Sequence, residues 1–188
     1  MIVTISGASG VGKSAVMDAL LRRIPESQPL VSCTTRDPRP TDLPREYLHF
    51  TDAEFDAEIA ERRFLWIGEA HGARYGRHKN MVRRALETDH AYFVGTLSLD
   101  VIEALLAFAD QHGQRSAVHS FYIFSPSEEI LRARLIGRGD NPASVEGRIA
   151  DCRGWDEEAR RAIVPFHAIQ DRDDLEEKVR AVLAHLPR

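Results

Sequence analysis

The segment GASGVGKS at residues 7–14 constrains the fold of this chain more than any other feature. It fits the pattern G-x-x-x-x-G-K-[ST], which requires an apolar strand directly before it and a helix directly after it. Residues 1–6, MIVTIS, supply the strand, and residues 14–24 carry apolar side chains at helical spacing. The segment therefore predicts a strand, a glycine-rich loop and a helix in immediate succession.

Such a loop is a phosphate-binding element, because its glycines let the backbone wrap closely around an anion and its N–H groups point inward. The Lys13 ammonium should reach the last two phosphates of ATP, and the Ser14 hydroxyl should bind Mg²⁺. A second, acidic ligand is expected after another strand, where Asp100 is either that ligand or an acid in the first turn of a helix. ATP and Mg²⁺ are therefore the expected cofactors, with these residues as the ATP-binding set: Gly7, Ser9, Gly10, Val11, Gly12, Lys13 and Ser14.

The rest of the chain alternates short apolar strands with amphipathic helices, which predicts an α/β fold around a parallel sheet. Residues 29–35 are predicted as one strand, and Thr51 with Glu54 forms a capping-box pattern that predicts the start of a helix. The alternation is interrupted at about 31–86 and again at 134–158. We expect a second substrate to bind in these two interruptions.

The composition of the chain indicates which classes of protein and which partners are expected. At 188 residues with 43% hydrophobic and 29% charged residues, the chain is expected to form one soluble domain. The formal net charge of −4 disfavours a nucleic-acid partner, and no apolar run reaches the length of a membrane span. Cys33 and Cys152 form no C-x-x-C pair and the first residues do not resemble a signal peptide, so a cytoplasmic location is expected.

Two arginines follow the predicted second strand. Arg36 and Arg39 lie three residues apart in a loop that contains Pro38 and Pro40. Two guanidinium groups held in this way are suited to bind a phosphate already present on an acceptor molecule. From the spacing alone, the alternative is that both are solvated loop residues.

Taken together, these motifs resemble the guanylate kinase family over nearly the whole chain and in the family's order. The matching segments are SGASGVGKS, VSCTTRDPRP, His49–Phe50, EAHGARYG at 69–76, LRARLIGRG at 131–139 and DDLEEKV at 173–179. The resemblance implies a three-layer α/β/α P-loop kinase fold with a parallel core sheet (residues 1–30, 87–133 and 159–188), an acceptor-binding insert (31–86) and an arginine-bearing lid (134–158).

The resemblance also implies a function and a set of site residues. Family members transfer a phosphoryl group from Mg-ATP to a nucleoside monophosphate, here most of all GMP or dGMP, giving GDP or dGDP. Such an enzyme acts on a small phosphorylated acceptor as a monomer or homodimer. The residues implied for the acceptor are Ser32, Arg36, Arg39, Tyr47, Glu69 and Tyr75, and those implied for catalysis are Lys13, Arg134, Arg138 and Arg148.

The chain departs from the family where the base should be read. Trp66 stands at the position of a glutamate that faces the base, and Glu69 matches a second, less decisive acidic position. Arg77 stands where a small hydroxyl residue is expected. Tyr47 lies one residue before the position of the family's phosphate-binding tyrosine, which Leu48 holds here, and one step along a strand reverses the face.

These departures leave two alternatives open. Ribose 1,5-bisphosphate phosphokinases resemble guanylate kinases without the guanine-reading acids, and in such an enzyme Arg74, Arg77 or His71 would meet an additional phosphate. The product would be 5-phosphoribosyl diphosphate. A non-catalytic guanylate-kinase-like binding module is the other alternative, although such a module has no use for the complete loop at 7–14.

Overall fold

The computed structural model describes residues 1–39, 42, 46–70, 72–88, 90–137, 139 and 141–187, without the side chains of residues 70, 142 and 143. The strands are β1 (Ile2–Gly7), β2 (Gln28–Pro29), β3 (Ser32–Thr34), β4 (Tyr47–His49), β5 (Phe64–Ala70), β6 (Ala73–His78), β7 (Phe93–Thr96), β8 (Val118–Phe124) and β9 (His167–Gln170). The helices are α1 (Lys13–Arg23), α2 (Asp52–Ala60), α3 (Lys79–Glu87), α4 (Leu99–Gln111), α5 (Glu128–Gly137), α6 (Pro142–Arg161) and α7 (Leu175–Leu183).

The core is a five-stranded sheet in the order β2-β7-β1-β8-β9, and all of its neighbouring strands run parallel. Every residue of the central strand β1 is buried, as a strand with helices on both faces must be. Val3 and Ile5 pack with α1 and α7 on one face, whereas Ile2 packs with α3 and α4 on the other. The predicted α/β fold with a parallel core sheet is therefore confirmed.

A second sheet, in the order β4-β3-β6-β5, lies within the range predicted as an insert. Strands β3 and β4 are parallel, whereas β6 pairs antiparallel with both β3 and β5. Phe55 of α2 packs with Cys33 and Phe64 in a small core on one face of this sheet. The division of the chain into core, insert and lid stays a prediction.

The strand predicted over residues 29–35 is wrong, because the chain changes sheets in the middle of that run. Gln28 and Pro29 pair with β7 of the core sheet, and the backbone N–H of Leu30 donates to the Val94 carbonyl at 2.7 Å. Two residues later, β3 pairs with β4 and β6 of the second sheet. An apolar run predicts strand conformation but carries no information on which sheet will accept it.

The capping box predicted at Thr51 is confirmed: the Thr51 hydroxyl accepts from the Glu54 N–H, and the Glu54 carboxylate accepts from the Thr51 N–H. Within the described parts of the chain, no helix combines the length and the apolar character needed to cross a bilayer.

Candidate active site

The loop between β1 and α1 has the geometry of an anion cradle. Gly7, Gly10 and Gly12 all adopt positive φ angles of 142°, 88° and 91°. A Cβ at Gly7 would lie 2.5 Å from the Ile123 carbonyl oxygen, so the close approach of the loop to β8 requires glycine. Helix α1 begins after Gly12 with no side-chain cap and no acidic residue in its first turn. Its first N–H groups are therefore open to a phosphate, and the residues present fit a nucleotide.

Two of the predicted cations, Lys13 and Arg148, contact this loop. The Lys13 ammonium donates to the carbonyls of Gly7 and Ala8, both at 2.7 Å. Arg148, on α6, donates from Nη1 to the Ser9 hydroxyl at 3.3 Å. Arg138 lies outside the described residues.

The expected metal site is only partly represented. Ser14 lies exposed in the first turn of α1, as a Mg²⁺ ligand beside the phosphates would. Asp100 lies in the first turn of α4 and lines a groove between α4 and the end of α6. Among the residues that the structure describes, no three histidine, cysteine or acidic side chains converge as metal ligands.

Arg134 contacts the loop and two carboxylates. It forms a two-pronged ion pair with Asp171, at 2.6 and 3.1 Å, and also contacts Asp173. Its Nη1 donates to the Gly10 carbonyl at 3.4 Å. Two carboxylates thus hold this guanidinium at the loop, next to Gly10.

Lys178 is a further cation at the loop, and the sequence analysis missed it. Its ammonium donates to Asp171 at 2.8 Å and to the Val11 carbonyl at 3.3 Å, and its side chain is 5% exposed. Burial alone would raise the pKa of Asp171, but the hydrogen bonds from Arg134 and Lys178 outweigh it and lower the pKa. The available signal was that Lys178 precedes Val182 by four residues on the apolar face of α7.

Arg36, Tyr47 and Tyr75 come together on one face of the second sheet. The Arg36 guanidinium donates to both oxygens of Asp42, at 2.6 and 3.0 Å, and lies 4.6 Å from the centre of the Tyr47 ring. The rings of Tyr47 and Tyr75 meet edge to face at 6.5 Å. Burial raises the pKa of the Tyr47 hydroxyl, so that it stays protonated and able to donate. Leu48, in contrast, is 41% exposed.

Among the described residues, neither the Arg39 side chain nor Glu69 contacts Arg36, Tyr47 or Tyr75. Arg39 is exposed, and its backbone N–H donates to Asp42 at 2.8 Å. Glu69 lies opposite Arg74 in the β5–β6 ladder, one step from the Gly68–Tyr75 pair. Because successive side chains alternate in direction, Glu69 lies on the face away from Tyr75 and is not placed to read a base beside it.

The basic residues named for a second phosphate differ in their surroundings. Arg74 shares the Glu69 face and forms ion pairs with Asp52 and Asp56 of α2. His71 lies outside the described residues. Arg77 lies opposite Trp66, on the Tyr75 face, and is 2% exposed.

Two residues of the second sheet contact Arg77. Its Nη2 donates to the hydroxyl of Ser32, the residue expected to face the base, and its guanidinium lies 5.3 Å from the centre of the Trp66 ring. Nε and Nη1 are buried and have no hydrogen-bond partner among the described residues. The sequence marked Arg77 as a departure but could not show that its side chain is buried.

Comparisons with known proteins agree with this geometry. The model of the family described as guanylate kinase matches residues 1–187. The chain is 36% identical over 156 residues to a guanylate kinase of Thermobifida fusca, an alignment that covers 81% of this chain and 75% of that protein. It is 32% identical over 184 residues to a guanylate kinase of a Nostoc species, with 96% and 86% covered.

Among solved structures, the guanylate kinase of Anaplasma phagocytophilum superimposes with a TM-score of 0.62 at 21% identity. That superposition covers 98% of this chain and 82% of the other, and it supports the shared fold. The family match over nearly all residues, together with the curated relatives, shows that this chain belongs to the guanylate kinase family.

Proposed function

We propose that this protein is an ATP-dependent kinase that phosphorylates a nucleoside monophosphate, with GMP or dGMP converted to GDP or dGDP. The observation that carries the proposal is the uncapped, glycine-lined loop at 7–14, with Lys13 and Arg148 at its edge. An arginine–tyrosine cluster suited to an acceptor phosphate lies on the second sheet. Membership of the guanylate kinase family supports the same reaction.

On the donor side, the backbone of residues 7–14 would hold the ATP phosphates. The two loop carbonyls that accept from Lys13 hold its ammonium at the loop, from where it can turn to the terminal phosphates. Mg²⁺, with Ser14 as its protein ligand, would neutralise charge on the phosphates. Phosphoryl transfer depends mainly on positioning and charge neutralisation, which these groups are suited to supply.

On the acceptor side, the Arg36 fork with Tyr47 and Tyr75 would bind the phosphate that receives the new group. Asp42 occupies the fork, so an acceptor phosphate must replace it or share the guanidinium with it. Arg148 contacts the loop directly, which supports a role over the transferred group. The contacts of Arg134 with Asp171 and Gly10 support a role in positioning the loop instead.

Ribose 1,5-bisphosphate is the second candidate acceptor, favoured by one observation: Arg77 is an additional buried cation near the acceptor cluster, and two of its N–H groups have no partner among the residues that the structure describes. The ion pairs of Arg74 with Asp52 and Asp56 weigh against it, since they occupy another of the basic groups that this acceptor would need. We propose that the protein acts as a monomer or homodimer in the cytoplasm, without nucleic acid or membrane. The net charge of −4 supports the absence of a nucleic-acid partner.

The test measures ADP formation from ATP with GMP, dGMP, AMP, UMP or ribose 1,5-bisphosphate as acceptor. Lys13→Ala should lower kcat by about 100-fold or more, because one preorganised charge on the transferring group is removed. Lys79→Ala is the matched control, since the Lys79 ammonium binds the exposed Arg62 carbonyl. If the Lys13 variant forms ADP at the wild-type rate and its unfolding midpoint is unchanged, the assignment of residues 7–14 as the ATP-binding loop is wrong.

A further inference from the structure

The buried guanidinium of Arg77 has hydrogen-bonding capacity that the described part of the chain does not use. The side chain is 2% exposed, and both Nε and Nη1 have no partner among the described residues. Buried N–H groups are nearly always paired, because losing water without gaining a partner costs free energy. Burial lowers the pKa of Arg77 to about 10, so the group remains a charged donor at neutral pH.

The surroundings of Arg77 show that the chain makes room for it. A Cβ on Gly95 of β7 would lie 2.9 Å from Nη1, so the absence of a side chain at Gly95 leaves space for the guanidinium. The Trp66 ring lies across from it, and Ser32 accepts from Nη2.

The site lies within reach of the phosphate loop. Gly95 pairs with Thr4 of β1, three residues before Gly7 on the neighbouring strand. Strand spacing and rise per residue put Gly95 and Gly7 roughly 11 Å apart. A ligand held at Arg77 by its far end can therefore direct its phosphate toward the loop, along the face that carries Tyr75.

The charges near Arg77 favour a neutral partner over a second phosphate. The carboxylate of Glu46, which is 6% exposed, is close enough to raise the pKa of Arg77 and already compensates part of its charge. A phosphate dianion bound at Arg77 would be repelled by this carboxylate. A ring carbonyl accepts from a guanidinium without adding charge, and arginine commonly recognises guanine through its O6 and N7 atoms.

We propose that Arg77 is the residue that selects the acceptor, by donating Nε–H or Nη1–H to the O6/N7 edge of a 6-oxopurine nucleotide. This inference rests on the proposed function and adds to it the edge of the base that is read. Adenine carries an amino group in place of O6 and presents a donor to a donor-only guanidinium. Hypoxanthine shares O6 and N7 with guanine and lacks only the 2-amino group, which Arg77 does not contact in this scheme.

The experiment measures kcat/KM for GMP, IMP, AMP and ribose 1,5-bisphosphate with wild type, Arg77→Met and Arg77→Lys. Wild type should use GMP and IMP within about tenfold of each other and AMP about 10- to 100-fold less well, the size expected for one arginine–purine contact. Arg77→Met should lose this preference, mainly through KM for GMP, while AMP use is unchanged. Arg77→Lys should restore only part of it, because an ammonium lacks the planar fork.

Arg74→Gln is the matched control, since it removes an arginine of the same strand on the opposite face. Replacing a buried charge by methionine is often neutral or stabilising, so the unfolding midpoint of Arg77→Met serves as the folding check. An unchanged GMP/AMP ratio in Arg77→Met would overturn the proposal. So would a wild type that prefers ribose 1,5-bisphosphate and loses that preference in Arg77→Met, which would assign Arg77 to a phosphate.

Calorimetric binding of GMP, IMP and AMP to wild type and Arg77→Met separates this inference from the proposed function. If wild type phosphorylates GMP but binds GMP and AMP equally well, only the inference fails. If no acceptor is phosphorylated, the proposed function fails, and the binding preference still decides whether Arg77 selects 6-oxopurines.

Discussion

The buried carboxylate of Asp171 gives the sharpest prediction for stability. Its side chain is fully buried and accepts from Arg134 at 2.6 and 3.1 Å, from the Lys178 ammonium at 2.8 Å and from the Asp173 N–H at 2.9 Å. Asp171→Asn keeps the shape but removes the negative charge. Lys178, whose side chain is 5% exposed, then retains a buried charge with no carboxylate against it at that site.

The expected loss of unfolding free energy in Asp171→Asn follows from the burial of the carboxylate. Removing one partner of a buried ion pair typically costs about 3–5 kcal/mol. Because the Arg134 side chain is 24% exposed and water can partly replace its lost partner, we expect the lower end, about 3 kcal/mol. For a chain of this length that loss corresponds to a decrease in melting temperature of about 6–12 °C. Asp173→Asn is the matched control, since the Asp173 carboxylate is 58% exposed and binds the same arginine.

Urea denaturation followed by circular dichroism measures both variants, and steady-state kinetics adds a functional readout. Because Arg134 and Lys178 also bind the carbonyls of Gly10 and Val11, Asp171→Asn should raise KM for ATP more than KM for the acceptor. Asp173→Asn should lower the free energy of unfolding by less than about 1 kcal/mol, because exposed ion pairs contribute no more than that. Equal losses in the two variants would refute the reasoning, since burial would then not distinguish the carboxylates.

Two further predictions concern Arg36 and acid stability. Arg36→Lys should raise KM for the acceptor about tenfold or more and leave KM for ATP unchanged, because an ammonium cannot reproduce the two-pronged contact. Initial rates measured at varied acceptor concentration test this prediction. A change in KM for ATP alone would contradict it. The lowered pKa of Asp171 means that its contribution to stability is present above about pH 4 and lost as the pH falls through the lowered value. Urea midpoints between pH 5 and pH 2 should therefore fall more steeply for wild type than for Asp171→Asn, and parallel curves would contradict the assignment.

The features that local sequence determined were predicted well. The glycine loop, the strand before it and the capping box at Thr51 each depend on neighbours within a few residues, and the structure contains all three. The run at 29–35 was predicted wrongly because strand propensity is local, whereas the choice between two sheets depends on partners about 60 residues away in β7 and about 40 away in β6.

The acceptor side shows why register had to come from the structure. Alignment by position made Leu48 the counterpart of a phosphate-binding tyrosine and left Glu69 as a base reader. The ladder places Tyr47 beside Ser32 and Tyr75, and places Glu69 on the other face. A shift of one residue reverses the face of a strand, so both assignments depend on strand pairing, which the sequence alone does not provide.

Trp66 and Arg77, two departures from the family in the sequence, form one physical unit in the fold. They are directly opposite in the β5–β6 ladder, with the guanidinium 5.3 Å from the indole centre, and the indole packs against the apolar cluster that contains Phe93 and Leu97. A carboxylate at position 66 would lose that packing, and a small hydroxyl residue at position 77 would leave a void beside Gly95. Replacing Trp66 alone or Arg77 alone is therefore expected to be unfavourable while the other residue is retained. In the proposed selection of the acceptor the two residues act together: the indole lies against the guanidinium, and the N–H groups without a partner among the described residues donate to the ligand.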